Sequence, residues 1–236
     1  MEQAREWLQQ ARRIAVLTGA GISAESGIPT FRGAGGLWRE YRAEDLATPA
    51  AFARDPKLVW EWYEWRRSRI AKAEPNAGHL ALVQLEEMVK SFTLVTQNVD
   101  GLHARAGSRN ILYLHGDIWT LRCIACGLSY KNLQPLEELP PRCSCGGMQR
   151  PGVVWFGEGL PEETWREADQ AVRSSEVFLV IGTSAVVMPA GGLVYAAKQA
   201  GARVIEINAA ETQVSPIVDC AVRGEAGKIL PELLKG

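Results

Sequence analysis

Nothing in the 236 residues approaches the ~20 consecutive apolar residues that a bilayer-spanning helix requires, which excludes such a helix. There is no excess of charge of either sign: the formal net charge is −1, so nothing favours a polyanionic partner and direct nucleic-acid binding is not expected. Apolar residues make up 47% and charged residues 22%, a balance that excludes a disordered chain. The amphipathic start, with Glu2 and Glu6, contains no uninterrupted apolar stretch, so neither a secretory leader nor an acid-poor transit peptide is predicted. A cytoplasmic protein is expected. Cysteines number five, an odd count that does not suit a secreted disulfide framework, and a chain of this length can bury its core without one. Histidines number three, His79, His103 and His115, so candidates for general base catalysis are few.

What is there alternates. Met1–Arg13 reads as a helix, and the apolar run Ile14–Thr18 as a buried strand that ends in a glycine-rich turn. Further strands are expected at Phe92–Thr96, Ile111–Leu114, Glu176–Gly182 and Ala202–Asn208. Helices are expected at Lys57–Ala73, His79–Lys90 (inner face Leu80, Val83, Leu85 and Met88) and Ala190–Ala200. Continuous apolar strands between helices predict an α/β fold, a Rossmann-like parallel sheet covered on both faces. Ligands of such sheets bind beyond the carboxyl ends of the strands. Polar or glycine-rich sequence stands at four of those ends, 18–21, 96–100, 182–184 and Asn208. Two stretches break the alternation and predict a smaller domain built from insertions. The expected division is a sheet domain over 1–32, 76–121 and 152–236, with the smaller domain made of 33–75 and the cysteine-bearing stretch 122–151.

Gly19-Ala20-Gly21-Ile22-Ser23-Ala24 fits the strand–GxGxxA–helix pattern that seats a pyrophosphate, although a tight turn alone also needs glycine. No acidic residue follows at the end of a second strand about 20 residues later, so a standard dehydrogenase half is not expected. Cys123-x2-Cys126-x16-Cys143-x-Cys145 offers two thiolate pairs, the donor set of a tetrahedral zinc with no open position. Such a zinc is structural, since no water can be activated on it. Cys220 stands apart and reads as a small buried hydrophobe. His115, at a strand end, is a candidate base, with His79 and His103 competing on spacing alone.

Residues 19–32 (GAGISAESGIPTFR), Thr96–Asp100, His115-Gly116, the four cysteines, Gly157-Glu158, Gly182–Ser184 and Ile207-Asn208 occur in the order shown by the sirtuins, the NAD-dependent protein-lysine deacylases, which the chain resembles over about residues 14–234. The resemblance implies NAD as co-substrate, structural Zn²⁺, and acylated lysines of proteins bound as an extended peptide. It places the cofactor on Gly19, Ala20, Gly21, Ser23, Thr30, Phe31, Arg32, Gln97, Asn98, Asp100, Gly182, Thr183, Ser184, Asn208 and Ala226. His115, Asn98 and Asp100 are implied to be catalytic, with His115 as general base, giving nicotinamide, O-acyl-ADP-ribose and free lysine.

Within the family the chain is similar to the class III group that removes succinyl and malonyl chains, whose acyl-pocket positions fall on Ala47, Tyr63 and Arg66. Substrate contacts are further implied at Val154, Phe156, Gly157, Glu158 and Val186. Tyr63 and Arg66 are three apart and share one helical face, a guanidinium and a phenol suited to a carboxylate. The alternatives are a mono-ADP-ribosyltransferase, which shares the first chemical step, and a catalytically weak NAD-sensing module.

Overall fold

The computed structural model describes residues 1–30, 37–38 and 41–235. In chain order it contains α1 (Glu2–Gln10), β1 (Arg13–Thr18), α2 (Ala20–Ala24), β2 (Leu37–Trp38), β3 (Tyr41–Arg42), α3 (Ala43–Leu46), α4 (Pro49–Arg54), α5 (Pro56–Ile70) and α6 (Ala77–Met88). There follow β4 (Ser91–Thr96), α7 (Leu102–Ala106), β5 (Ile111–Tyr113), β6 (Gly116–Cys123), β7 (Ser129–Lys131) and β8 (Gln149–Val153). The chain closes with α8 (Glu162–Ser174), β9 (Val177–Ile181), α9 (Gly192–Gln199), β10 (Arg203–Asn208), β11 (Cys220–Arg223) and α10 (Ala226–Leu234). Among the described residues no helix is long and apolar enough to cross a membrane.

Six strands form one parallel sheet in the order β11-β10-β9-β1-β4-β5. The chain builds outward from β1 through β4 to β5, then returns to the other side of β1 and builds outward again through β9, β10 and β11. The direction of winding therefore reverses between β1 and β9. This is the doubly wound arrangement, and its crevice opens where the two halves part.

The strands are mostly apolar because both faces are covered, and the buried Glu206 of β10 is paired with Arg223 of β11. Ile14, Val16, Leu94, Leu179 and Ile207 pack with Leu8 of α1, Leu82 and Leu85 of α6 and Leu230 of α10. Ala15, Leu17, Val95, Phe178 and Val180 pack with Ala168 and Val172 of α8 and Leu193 and Val194 of α9. Full burial of such a side chain stabilises by about 1.5–3 kcal/mol before the entropy of ordering is subtracted. The expected inner face of α6 is corrected: Leu80 and Met88 are exposed, and Ala81, Leu82 and Leu85 are buried together with His79. Burial follows the i, i+3, i+4, i+7 stripe from Gly78, which hydropathy alone did not reveal.

A third apolar cluster joins Leu46, Phe52, Trp60 and Tyr63 of the α3–α5 segment to Ile118, Leu121 and Val153 on β6 and β8. Local sequence starts two of these helices. Thr48 Oγ1 and Asp55 Oδ1 accept the N–H groups of Ala51 and Leu58 (both 3.0 Å), and Pro49 and Pro56 fill the first helical positions. Where only cysteine spacing was legible, the chain folds into an antiparallel sheet, β7-β6-β8. Arg67 ties α5 to it. Its buried guanidinium donates to the Asn132 carbonyl (2.7 Å), Asn132 Oδ1 (2.8 Å) and the Gln134 carbonyl (2.9 Å).

Candidate active site

The crevice between β1 and β9 is built from backbone pressed against backbone. A Cβ on Gly19 would stand 2.6 Å from Thr183 Cβ, and one on Gly21 2.7 Å from Gly182 Cα. Gly182 has φ +59°, and its carbonyl accepts the Gly21 N–H at 2.7 Å. Glycine is thus required here by the close approach of the two strand ends, before any phosphate is considered. Ala20 and Gly21 lie half-buried in the first turn of α2, with Ser23 buried one turn further.

The end of β4 supplies the polar wall. Gln97 Nε2 donates to Thr183 Oγ1 (2.9 Å), which bridges the β4 and β9 ends over β1. Asn98 Nδ2 donates to the Gly19 carbonyl (3.0 Å), and Ser23 Oγ donates to Asp100 Oδ2 (2.8 Å). Asp100 is 5% exposed; burial raises its pKa, against the opposing pull of the Leu102 N–H, the Ser23 hydroxyl and the Arg66 charge. Four segments distant in sequence therefore converge: the β1 turn, the β4 end, the β9 turn and His115.

His115 sits between β5 and β6, half-buried, with Nδ1 2.9 Å from the Gln97 carbonyl. A carbonyl only accepts, so Nδ1 carries the proton and Nε2 is left as the basic nitrogen. Burial lowers its pKa from 6.5, partly offset by the bond to Gln97, which keeps the ring neutral at neutral pH. Gly116 next to it has φ +77°, and a Cβ there would meet the Gly152 carbonyl at 2.2 Å.

The two competing histidines are excluded as bases. His79 and His103 are fully buried and their rings lie 4.8 Å apart, with burial driving their pKa values down to about 4 and about 3. His103 Nε2 instead lies 3.0 Å from Thr18 Oγ1, in a chain that continues through Thr96 Oγ1 to the Asn98 N–H. These depressed values predict acid sensitivity. Below pH 6.5 the unfolded chain takes up protons that the folded one refuses, so stability falls as the pH drops from 6.5 towards 4. His79 alone accounts for a loss on the order of 3 kcal/mol. Urea melts at pH 7 and pH 4.5 measure it, and His79→Gln should flatten the difference.

The remaining expected positions are spread around this centre. Asn208, at the end of β10, donates through Nδ2 to the Ala210 carbonyl (2.9 Å), and Ala226 is buried at the start of α10. Thr183 is buried, Ser184 exposed, and Val186 and Thr30 half-buried. Phe31 and Arg32 lie outside the described residues.

On the other side, the Val154 N–H donates to the His115 carbonyl and the Phe156 N–H to the Ala47 carbonyl (both 2.9 Å). Phe156 and Gly157 are exposed. The Glu158 carboxylate is committed internally, to both Arg150 nitrogens (2.6 and 2.8 Å) and the Trp155 N–H (2.8 Å). Burial raises its pKa, but these donors outweigh it and hold the group below the usual range. Glu158 therefore offers its neighbours backbone, not charge.

Tyr63 and Arg66 do share a face of α5. The Arg66 guanidinium lies 5.0 Å from the Trp62 ring centre and 5.7 Å from that of Tyr63. Tyr63 is 1% exposed and accepts a hydrogen bond from Trp155 Nε1 (2.9 Å), so it is also a core residue; burial pushes its pKa up to about 12. Burial lowers the Arg66 pKa, against the stabilising influence of Tyr63 and Asp100. Sequence reading did not find Trp155, Arg150 or Trp119, whose Nε1 holds the Asp100 carbonyl at 2.9 Å. The tryptophan-rich segments were visible, but not the partners of the indoles.

The sulfurs of Cys123, Cys126, Cys143 and Cys145 all lie within 4.8 Å of one another, with 3.6 Å between Cys123 and Cys145 and 3.8 Å between Cys126 and Cys143. A tetrahedron with Zn–S of about 2.3 Å has sulfur–sulfur edges of roughly 3.8 Å, so the donor set fits zinc. Each cysteine pair is followed by a glycine with positive φ, Gly127 (+76°) and Gly146 (+83°), which turns the chain back. Cys220 is half-buried on the edge strand β11, away from the four.

The sequence matches the Sir2 family over residues 19–189. It is 55% identical over 229 residues to NAD-dependent protein deacylase 2 of Pyrobaculum aerophilum, covering 97% of this chain and 92% of that one. A Sir2 homolog–NAD complex superposes with a TM-score of 0.94 at 47% identity, over 99% of this chain and 92% of the other. A Sir2 protein bound to an acetylated peptide gives 0.89 at 28% identity, over 99% and 97%.

Proposed function

The chain belongs to the Sir2 family, and from that membership we propose that it is an NAD-dependent protein-lysine deacylase that removes acetyl groups and, through Tyr63 and Arg66, succinyl or malonyl groups. The observation that carries this reading is the convergence of Gln97, Asn98, Asp100, Ser23 and the basic nitrogen of His115 on one glycine-lined crevice. As co-substrate NAD would supply a ribose carbon that nicotinamide leaves and that takes the acyl oxygen; a ribose hydroxyl then attacks the acyl carbon, and one water is consumed as the lysine amine departs, giving O-acyl-ADP-ribose and free lysine.

The backbone of Gly19, Ala20 and Gly21 lies under the pyrophosphate, while Gly182, Thr183, Ser184, Asn208 and Ala226 hold the adenosine half. Gln97, Asn98, Ser23 and Asp100 orient the nicotinamide ribose. A leaving group departing from a sugar carbon builds positive charge there, and fixed dipoles in a dry crevice stabilise it without reorganisation. His115 Nε2 then takes a proton from a ribose hydroxyl, which frees that oxygen to attack.

The target enters as an extended strand between the backbone of 153–158 and that of 184–188, and its acyl-lysine reaches the crevice between them. The described residues of segments 33–75 and 122–151 form the small domain across the cleft, and Ala47, Tyr63 and Arg66 line the acyl end. The half-buried guanidinium beside a buried phenol supports an anionic acyl group, because both offer donors to one carboxylate.

Profiling the pure protein on acetyl-, malonyl- and succinyl-lysine peptides, with and without NAD, tests the reading. NAD-dependent loss of the acyl group with a succinyl preference is expected; no turnover of any acyl peptide would contradict it.

The four cysteines would hold a structural zinc, which would contribute to folding and take no part in the chemical step. One zinc per chain is therefore expected by elemental analysis, and Cys143→Ser or Cys145→Ser should give insoluble or protease-sensitive protein. A well-folded, metal-free and fully active Cys143→Ser/Cys145→Ser protein would refute the assignment.

A further inference from the structure

Trp155 is almost fully buried (3% exposed), and its surroundings fix it from every side. The Arg150 guanidinium stacks 3.5 Å from its ring centre, Phe52 packs at 5.2 Å, and its backbone N–H is held by Glu158. Glu158 and Arg150 clamp each other through two parallel hydrogen bonds. This locked indole aims its N–H at the Tyr63 hydroxyl, 2.9 Å away.

A phenol both accepts and donates, so in isolation its oxygen could face either a donor or an acceptor on a ligand. An indole N–H only donates. With that bond accepted, the Tyr63 proton cannot point at the indole and is left for the pocket. Arg66, on the same face, is donor-only by chemistry. We infer that Trp155 is a specificity-determining positioning residue: by occupying the acceptor side of Tyr63 it turns the polar wall of the acyl pocket into donors alone. That wall matches an acyl chain ending in a carboxylate and rejects one ending in an amine, which would find no acceptor.

This inference rests on the reading of Tyr63 and Arg66 as the acyl-binding pair. Its mark is a change in acyl preference, where a packing role would instead lower all activities together.

The test is kcat/KM on succinyl- and acetyl-lysine peptides for the wild type, Trp155→Phe, Tyr63→Phe and the double variant. Trp155→Phe should lower succinyl turnover about fivefold more than acetyl turnover, the scale of one neutral hydrogen bond. In the Tyr63→Phe background Trp155→Phe should shift the succinyl-to-acetyl ratio by less than about twofold, since the bond it removes is already gone. Replacing Trp155 by its benzothienyl analogue, in which sulfur stands for the N–H, keeps the ring packing and should reproduce the shift in preference.

An equal fall on both substrates, an undiminished effect in the Tyr63→Phe background, or an unchanged preference with the benzothienyl analogue would overturn the inference while the pocket stands. A wild type that does not remove succinyl groups would overturn the pocket reading itself, and this inference with it.

Discussion

Replacing His115 by alanine is expected to lower kcat/KM at least ~10²-fold, within the ~10²–10⁴-fold range of a positioned general base. The fold should survive. The ring is half-buried, and among the described residues its hydrogen bond is to the Gln97 carbonyl, which lies at the crevice and not in the core. Nicotinamide release should be less affected than formation of free lysine, because the base acts after the glycosidic bond has broken.

The pH profile follows from the same geometry. As the proposed base the ring would act in its neutral form, so activity should be lost as falling pH protonates it, and burial places that loss below pH 6.5. An acid limb well above 6.5, or retention of more than about a tenth of the activity in His115→Ala, would assign the base elsewhere.

Arg66→Met is expected to lower desuccinylation by ~10²–10³-fold in kcat/KM while deacetylation changes less than about tenfold. Removing the guanidinium leaves a buried substrate carboxylate without its partner, a loss of about 3–5 kcal/mol. Methionine keeps a long apolar stem over the Trp62 and Tyr63 rings, so α5 should hold. Tyr63→Phe should cost less in succinyl kcat/KM, about 1–2 kcal/mol, since the carboxylate loses one neutral donor and keeps Arg66; the bond from Trp155 Nε1 is lost as well. An equal fall on both substrates would make Arg66 structural.

The parallel sheet was legible because strands buried on both faces carry no polar alternation, and β1, β4, β9 and β10 stand where such runs occur. β11 was not legible: Cys220–Arg223 has only Val222 fully buried, as an edge strand allows. The antiparallel sheet around the cysteines was hidden for a similar reason, since β7 is exposed throughout and β8 contains Pro151. Cysteine spacing alone located the metal donors.

The candidate site was legible in so far as the glycines, Asn98, Asp100 and His115 singled out in the sequence are brought to one crevice. It was illegible where role depends on a partner far away in sequence. Trp155 owes its orientation to Arg150, Glu158 and Tyr63, and Arg67 looks like a surface charge until Asn132 and Gln134 are brought against it. Hydropathy likewise placed Leu80 and Met88 inside α6, whereas the helical stripe that meets the sheet runs through Leu82 and Leu85.

The most direct test of the central claim is a product balance by mass spectrometry after the protein has consumed NAD in the presence of an acyl-lysine peptide. The account predicts nicotinamide, free-lysine peptide and O-acyl-ADP-ribose in equimolar amounts, with the acyl group recovered on the ribose. ADP-ribose recovered on protein side chains, or deacylation that proceeds without NAD, would contradict it.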